Sequence, residues 1–462
     1  MKAHRTRRQF LARTATSAFG FFLSTRHGFA TAAAANEELN LALVGVGGRG
    51  EWFLGALPGM RTRFAALCDT HAYRLNRAGE KFPEAKRYRD FRRMLEESAD
   101  RLDGVVVATP DHSHAVISAR AMRAGKPVFC EKPLTRTISE TRALRELAAS
   151  TQVATQMGNQ GTSSDPFRRS VEIVQSGVLG EIREVLTWNE SGGGGPHPRP
   201  TTSEAVPEDL DWDVWLGPAA ARPYHREWAN WHRWRDFATG QLGNWAVHSA
   251  NLAFKAFRLD EFWKGTSAEL PEGCHFRVAA KVSEVLADTF PTWELIEFSA
   301  PRRRNQPAFA MIWCNGRAPG GRERIEERLG RKLDWGDAGE RKWNDHAGLL
   351  IVGTRGMLHS TGHNMTFSLL PEADFQDLLG PPRSLPRSPG HEREWLDAIR
   401  GGASACSNFA DYGSLLTEWL LLGNVATQTE GAIEYDPRAG RVVNNESANR
   451  LCKALYREGW TL

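Results

Sequence analysis

The segment Gly45-Val46-Gly47-Gly48-Arg49-Gly50 follows the apolar run Leu39–Val44 directly and precedes Glu51–Leu57, which reads as a helix. Three glycines at that spacing suit a pyrophosphate. Gly45 permits the tight turn, Gly47 lets the backbone come close, and Gly50 lets helix and strand pack. The helix N-terminus adds N–H groups and positive dipole for the phosphates. A second apolar run, Phe64–Cys68, ends in Asp69, about twenty residues on, where a carboxylate can accept both hydroxyls of an adenosine ribose. A carboxylate there repels a 2′-phosphate, so the pattern predicts NAD, with NADP the lesser expectation because Arg74 is near.

Two further residues offer what oxidation of a secondary alcohol requires of a protein: a base near neutral pH and a cation beside the developing oxyanion. Lys132 follows an apolar strand and precedes Pro133, which fixes the local backbone. His248 lies in Leu242–Phe257, an apolar stretch that reads as a helix, and imidazole titrates nearest neutrality. Asn244, four residues before it, shares its helical face. An amide there orients a hydroxyl but takes no proton. Trp228, Trp231, Trp234 and Trp245 crowd the approach to His248 with Arg233 and Arg235, and flat rings with a polar edge suit sugars. Trp234 and Arg235 are the candidate substrate contacts from this group. His112-Ser113-His114 has histidines but no accompanying carboxylate or cysteine cluster, as is true of His225 and His232, so no metal is expected.

The elements that must position these residues alternate. After the glycine-loop unit come an apolar strand, Asp103–Pro110, a helix, Ala115–Ala124, closed by Gly125, a strand, Pro127–Cys130, and a helix, Ser139–Ala149. Strand and helix alternating at this spacing imply an α/β fold with a doubly wound parallel sheet and ligands at the strand C-termini. Thr109, Pro110, His112, His114, Glu131 and Lys132 sit at such ends and are expected to face the cofactor crevice. Ser191–Pro200, rich in glycine and proline, is too irregular for an element and reads as a lid beside the cleft.

With 462 residues the chain has room for more than one domain and a cleft between them. A net charge of +4 gives no concentrated basic stripe, so nucleic acid is not an expected partner, and no later apolar run is long enough for a membrane span. The six cysteines include no C-x-x-C pair and are expected to be unpaired thiols. Thr6-Arg7-Arg8-Gln9-Phe10-Leu11, a mildly apolar stretch and the alanine-rich run Ala30–Ala35 have the order of a twin-arginine (Tat) export signal. Residues 1–36 are therefore expected to be an address, and the mature protein periplasmic or secreted.

These motifs together resemble the Gfo/Idh/MocA oxidoreductases. The resemblance rests on the glycine loop with Asp69, on Thr109–His114, and on Gly125-Lys126-Pro127 leading to Glu131-Lys132-Pro133. It extends through Gly158-Asn159-Gln160-Gly161, Asp211–Pro218, Thr239–Asn244 with His248, Cys406–Phe409 and Leu416-Thr417-Glu418. It implies a Rossmann NAD-binding domain over 37–158. A second α/β domain over 159–462 would carry a large, open, mostly antiparallel sheet, with C-terminal helices packing back on the first domain. It also implies a cofactor contact for Asn159, a substrate contact for Gln160, catalytic roles for Lys132 and His248, and a homo-oligomer. Relatives usually carry aspartate where this chain has Asn244. The leading expectation is an NAD-dependent oxidoreductase acting on a sugar or cyclitol hydroxyl. The alternative is a redox-neutral glycosidase or sugar lyase that oxidises its sugar transiently with retained NAD. A non-catalytic NAD-binding protein is a third reading, opposed by Lys132 and His248.

Overall fold

The computed structural model describes residues 38–265, 273–303, 306–333 and 343–462. The expected export signal lies outside the described residues. Six strands form one parallel sheet: β1 (Leu39–Val44), β2 (Thr62–Cys68), β3 (Lys86–Tyr88), β4 (Gly104–Val107), β5 (Val128–Cys130) and β6 (Thr155–Met157). Their spatial order is β3-β2-β1-β4-β5-β6, so the chain reverses direction between β1 and β4 and opens a crevice there. The register aligns the strand ends. Val44 pairs with Cys68 and Val107, Cys68 with Tyr88, Val107 with Cys130, and Cys130 with Met157. The residue after each strand, namely Gly45, Asp69, Arg89, Ala108, Glu131 and Gly158, therefore leaves the sheet at one level.

The helices that cross over this sheet are α1 (Arg49–Ala56), α2 (Ala72–Lys81), α3 (Phe91–Ser98), α4 (Asp111–Arg123) and α5 (Ile138–Thr151). Gly50 decides how α1 meets β1. A Cβ there would lie 1.9 Å from the Gly45 carbonyl oxygen. α5 opens with a capping box in which Thr137 and Glu140 satisfy each other's backbone N–H groups. α4 begins four residues earlier than the apolar pattern predicts. Pro110 stands at its N-cap position, so His112 and His114 occupy its first turn and not a loop.

After α6 (Asp165–Gln175) the chain builds a nine-stranded sheet from β7 (Ile182–Asn189), β8 (Phe276–Val282), β9 (Glu294–Ala300), β10 (Phe309–Asn315), β11 (Ala347–Gly353), β12 (Met357–Thr361), β13 (Phe367–Leu370), β14 (Ile433–Asp436) and β15 (Arg441–Val442). The order is β13-β12-β11-β7-β10-β9-β8-β14-β15, antiparallel except where β7 pairs with β10. Between β7 and β8 lie α7 (Trp212–Leu216) and a helical stretch that starts as a π-helix, Leu242–Ala246, before α-helical residues 247–249 and 251–256. α8 (Gly321–Leu329) covers one face of the sheet, burying Ile325 with Leu186, Trp188, Cys314 and Leu350.

α9 (His391–Ile399) returns to the first sheet. It buries Trp395 and Leu396 beside Leu41 and Val106, and Trp395 donates to the Ala154 carbonyl. α10 (Ser414–Ala426) is mostly apolar, is buried along nearly its whole length and packs between α5 and β8. All six cysteines are unpaired. Among the described residues no helix is long and apolar enough to cross a membrane.

Candidate active site

The level strand ends of the first sheet and the helical stretch 242–256 together line a cavity of about 710 Å³. One end is the nucleotide unit. Gly45, Gly47, Gly48 and Arg49 line it, α1 has no side-chain cap, and a Cβ on Gly47 would meet the Arg74 side chain at 3.0 Å. The Asp69 carboxylate is held in place by two backbone N–H donors, Val46 and His71, each at 2.9 Å. Val46 thus shapes the loop from outside the cavity. Asn159 is fully buried, and neither its amide nitrogen nor its amide oxygen has a partner. A bare backbone cradle, a pinned carboxylate and an orphaned buried amide fit a dinucleotide. When bound, that group supplies a hydride acceptor.

Glu131 joins the two halves of the crevice. Its carboxylate takes a hydrogen bond from Arg49 Nε at 2.8 Å and another from the Lys132 N–H at 3.2 Å. Gly158 makes room for it, since a Cβ there would lie 2.7 Å from that carboxyl.

Lys132 donates from Nζ to the Asn244 carbonyl at 3.1 Å and to Asn244 Oδ1 at 2.6 Å. An ammonium only donates, so the Asn244 amide oxygen must face it. The amide nitrogen then donates to Gln241 Oε1 at 3.1 Å, and Gln241 Nε2 donates to the Gly192 carbonyl at 2.8 Å. Every member of this chain is fixed by its neighbour. Burial holds the Lys132 ammonium below the ordinary lysine range, although Glu131 and Asp111 pull the other way.

His248 is buried yet lines the cavity, and its Nδ1 has no hydrogen-bond partner among the described residues. Burial, and after it the nearby His363, Lys132 and Arg49, hold the imidazole well below 6.5. These surroundings favour its neutral form. His363 comes from the β12–β13 turn, with its ring 4.5 Å from that of His248. The turn is docked by Asn364, whose amide donates to the His248 carbonyl at 2.5 Å. No local motif singles out His363. Only the pairing of β12 with β13 brings it here.

Lys132, Asn244, His248, Gln160, Thr109, Pro110 and Glu131 all line the cavity with the glycine loop. Seven of the expected contacts do not: Val46, Gly50, His112, His114, Asn159, Trp234 and Arg235. His112 Nε2 bonds to the Trp215 carbonyl at 2.9 Å, and His114 bonds to the Pro133 and Thr109 carbonyls at 2.7 and 2.8 Å. Both are struts that set the neighbouring loops, a correction that follows from their place in the first turn of α4. Trp234 is buried against Trp228 and Phe237 and donates to the Glu227 carbonyl. Arg235 bonds to Thr289 and Thr427, with burial pressing it to about 10. The 3₁₀ turns at Arg226–Ala229 and Trp231–Arg233 send Trp234 inward and leave Trp231 and His232 on the cavity wall. Ser191–Pro200 does not line the cavity; Gly193 instead bonds to the Pro291 carbonyl. No cluster of three or more His, Cys, Asp or Glu among the described residues could hold a metal ion.

Residues 39–159 match the family model of Gfo/Idh/MocA oxidoreductases, NAD-binding Rossmann fold, and residues 173–253 match its C-terminal alpha/beta domain. Over residues 39–159 and 173–253 the chain is that of a Gfo/Idh/MocA oxidoreductase. The rhizopine catabolism protein MocA of Rhizobium meliloti is 31% identical over 158 residues, 33% of this chain and 48% of that protein. Glycosyl hydrolase family 109 protein 2 of Shewanella sp. (strain ANA-3) is 31% identical over 156 residues, 32% of this chain and 34% of that protein. The matches to these curated relatives thus span a third to a half of their length. The WlbA dehydrogenase of Bordetella pertussis, solved with NADH and UDP-GlcNAcA, superposes with a TM-score of 0.56 at 14% identity, covering 86% of this chain and 98% of that one. That likeness is one of fold.

Proposed function

We propose that the protein is an NAD-dependent oxidoreductase of a secondary hydroxyl on a sugar or cyclitol. One observation carries the reading: the Lys132–Asn244 pair and His248, whose Nδ1 has no partner among the described residues, line the same cavity as the glycine loop. The Lys132 ammonium hydrogen-bonds the reacting oxygen and steadies the charge that develops there. Asn244, locked by Gln241, aims the ammonium. His248 takes the hydroxyl proton, and Trp231 and Trp245 offer ring faces to the apolar side of the sugar. Asp69 supports NAD over NADP. The arginine pair and alanine-rich run near the N-terminus support an exported enzyme, and the family resemblance supports a homo-oligomer. Denaturing the purified protein, assaying released NAD(H), and titrating NAD into the stripped chain tests the reading. Absence of both bound and titratable NAD(H) overturns it.

A second reading, redox-neutral cleavage of a glycoside with retained NAD, is favoured by His363. A second imidazole beside His248 offers another proton carrier, and Asn244 stands where a simple dehydrogenase would have a carboxylate. Likeness to the Shewanella glycosyl hydrolase over 156 residues agrees with it. Glycoside cleavage without net formation of NADH distinguishes it from the first reading.

A further inference from the structure

The segment between β7 and the π-helix crosses over the far end of the nucleotide crevice. Asp69 marks that end, and the chain immediately after it is paired. The Ala72 N–H donates to the Asp209 carbonyl at 2.7 Å, the Asp211 N–H donates to the Thr70 carbonyl at 2.9 Å, and His71 and Leu210 form an isolated antiparallel bridge. Arg89, level with Asp69 at the end of β3, donates from Nη2 to both carbonyls, Thr70 at 2.9 Å and Asp209 at 3.0 Å. The Asp209 carboxylate also lies 3.0 Å from His71 Nδ1.

The segment is fastened at two more places. Its helix α7 is capped by Asp211, and His112 holds the Trp215 carbonyl. From the other side Arg457 grips Asp213 and donates to the Gly217 carbonyl at 2.7 Å. Pro207, Leu210 and Trp212 line the cavity opposite Asp69, Arg74 and Arg89.

We propose that Pro207–Leu216 is a strap that completes the dinucleotide site from outside the parallel sheet, roofing its adenosine half. Arg89 is the clamp that joins strap and sheet. Asp69, which would hold an adenosine ribose, is bonded to the N–H of His71, the residue bridged to Leu210, so release of the nucleotide would require that bridge to open. The cofactor is then a resident group and not an exchanging one. The inference rests on the reading of the cavity as an NAD site.

The test is exchange of NAD from the full-length chain. Protein loaded with 1,N6-etheno-NAD is mixed with excess NAD, and loss of the bound fluorophore gives the dissociation rate. Wild type is expected to retain its fluorophore through gel filtration. Arg89→Ala and Arg457→Ala, which loosen the strap from opposite sides, are expected to release it at least about tenfold faster, because each removes charge-assisted hydrogen bonds. Arg93→Ala, on an exposed face of α3, is expected to match wild type. Variant rates within about twofold of wild type, or wild-type exchange complete on mixing, overturn the strap. If Arg89→Ala does not fold, Arg457→Ala is read by the same criterion. Failure of wild type to bind either nucleotide overturns the NAD reading itself, and the strap with it.

Discussion

Lys132 works through what surrounds its ammonium. Asn244 accepts from Nζ at 2.6 Å, so the charge is aimed, and burial lowers its affinity for the proton. Lys132→Met keeps the length of the side chain and removes the charge. It is expected to lower turnover by about a hundredfold or more while leaving NAD titration unchanged, a split that a collapsed site would not give. The pH profile follows from the two shifts. His248 accepts a proton only when neutral, and its affinity is depressed, so the acid limb of kcat/KM is expected below pH 6.5. Lys132 acts only when charged, and its depressed affinity places the alkaline limb below pH 10.5. Asn244→Asp puts a carboxylate on the ammonium and is expected to move that alkaline limb upward. An unmoved limb in this variant refutes Lys132 as its source. Lys132, Asn244 and His248 could be singled out in the sequence because Lys132 follows a strand end and because the family resemblance picks out Lys132 and His248, with Asn244 four residues before the histidine. His363 could not, because a histidine in a hairpin turn acquires its neighbours only from the pairing of distant strands.

At the scale of elements, the register of the parallel sheet explains why the glycine loop, Asp69 and Glu131 could be read from strand ends alone. The strap could not be read that way. Its bonds to Thr70 and Ala72 are made by backbone groups, which leave no trace in residue type. The π-helical start of 242–256 is equally silent in an apolar pattern. Trp234 misled for a related reason: a run of tryptophans shows that rings gather, but not which of them turn inward. His112 gives the strap anchor a pH dependence that can be measured. Burial, opposed by its bond to the Trp215 carbonyl, holds it down to about 4 from 6.5. The folded form keeps it neutral while the unfolded chain takes up a proton below pH 6.5. Its contribution is therefore whole above 6.5 and is lost as pH falls toward 4, with an upper limit of roughly 3 kcal/mol. His112→Gln is expected to flatten the fall in stability between those pH values, as urea denaturation at each pH would record. An unchanged slope means that other groups carry it.

Across the whole molecule, α10 ties the nucleotide sheet to the nine-stranded sheet. Its flanks are apolar, and Trp419 packs among Phe254, Phe298 and Phe309. At its centre the wholly buried Glu418 accepts from Arg142 of α5 at 2.9 Å, from Trp263 at 2.8 Å and from Tyr435 of β14 at 2.5 Å. One carboxylate therefore holds a helix of the first sheet and a strand of the second. Arg142 also reaches the Pro437 and Arg438 carbonyls, at 2.9 and 3.1 Å. Removing the arginine leaves a buried carboxylate without its counter-ion, which costs far more than a surface pair, about 3–5 kcal/mol. Because the loss falls on the junction, both halves are expected to weaken together. In urea, wild type and Arg142→Ala should each unfold in one transition, with the variant's unfolding free energy lower by that amount and its midpoint lowered in proportion. Far-ultraviolet dichroism and tryptophan fluorescence should give the same midpoint. A variant that unfolds in two separated steps would show that the sheets are joined elsewhere and that Glu418 serves only one of them.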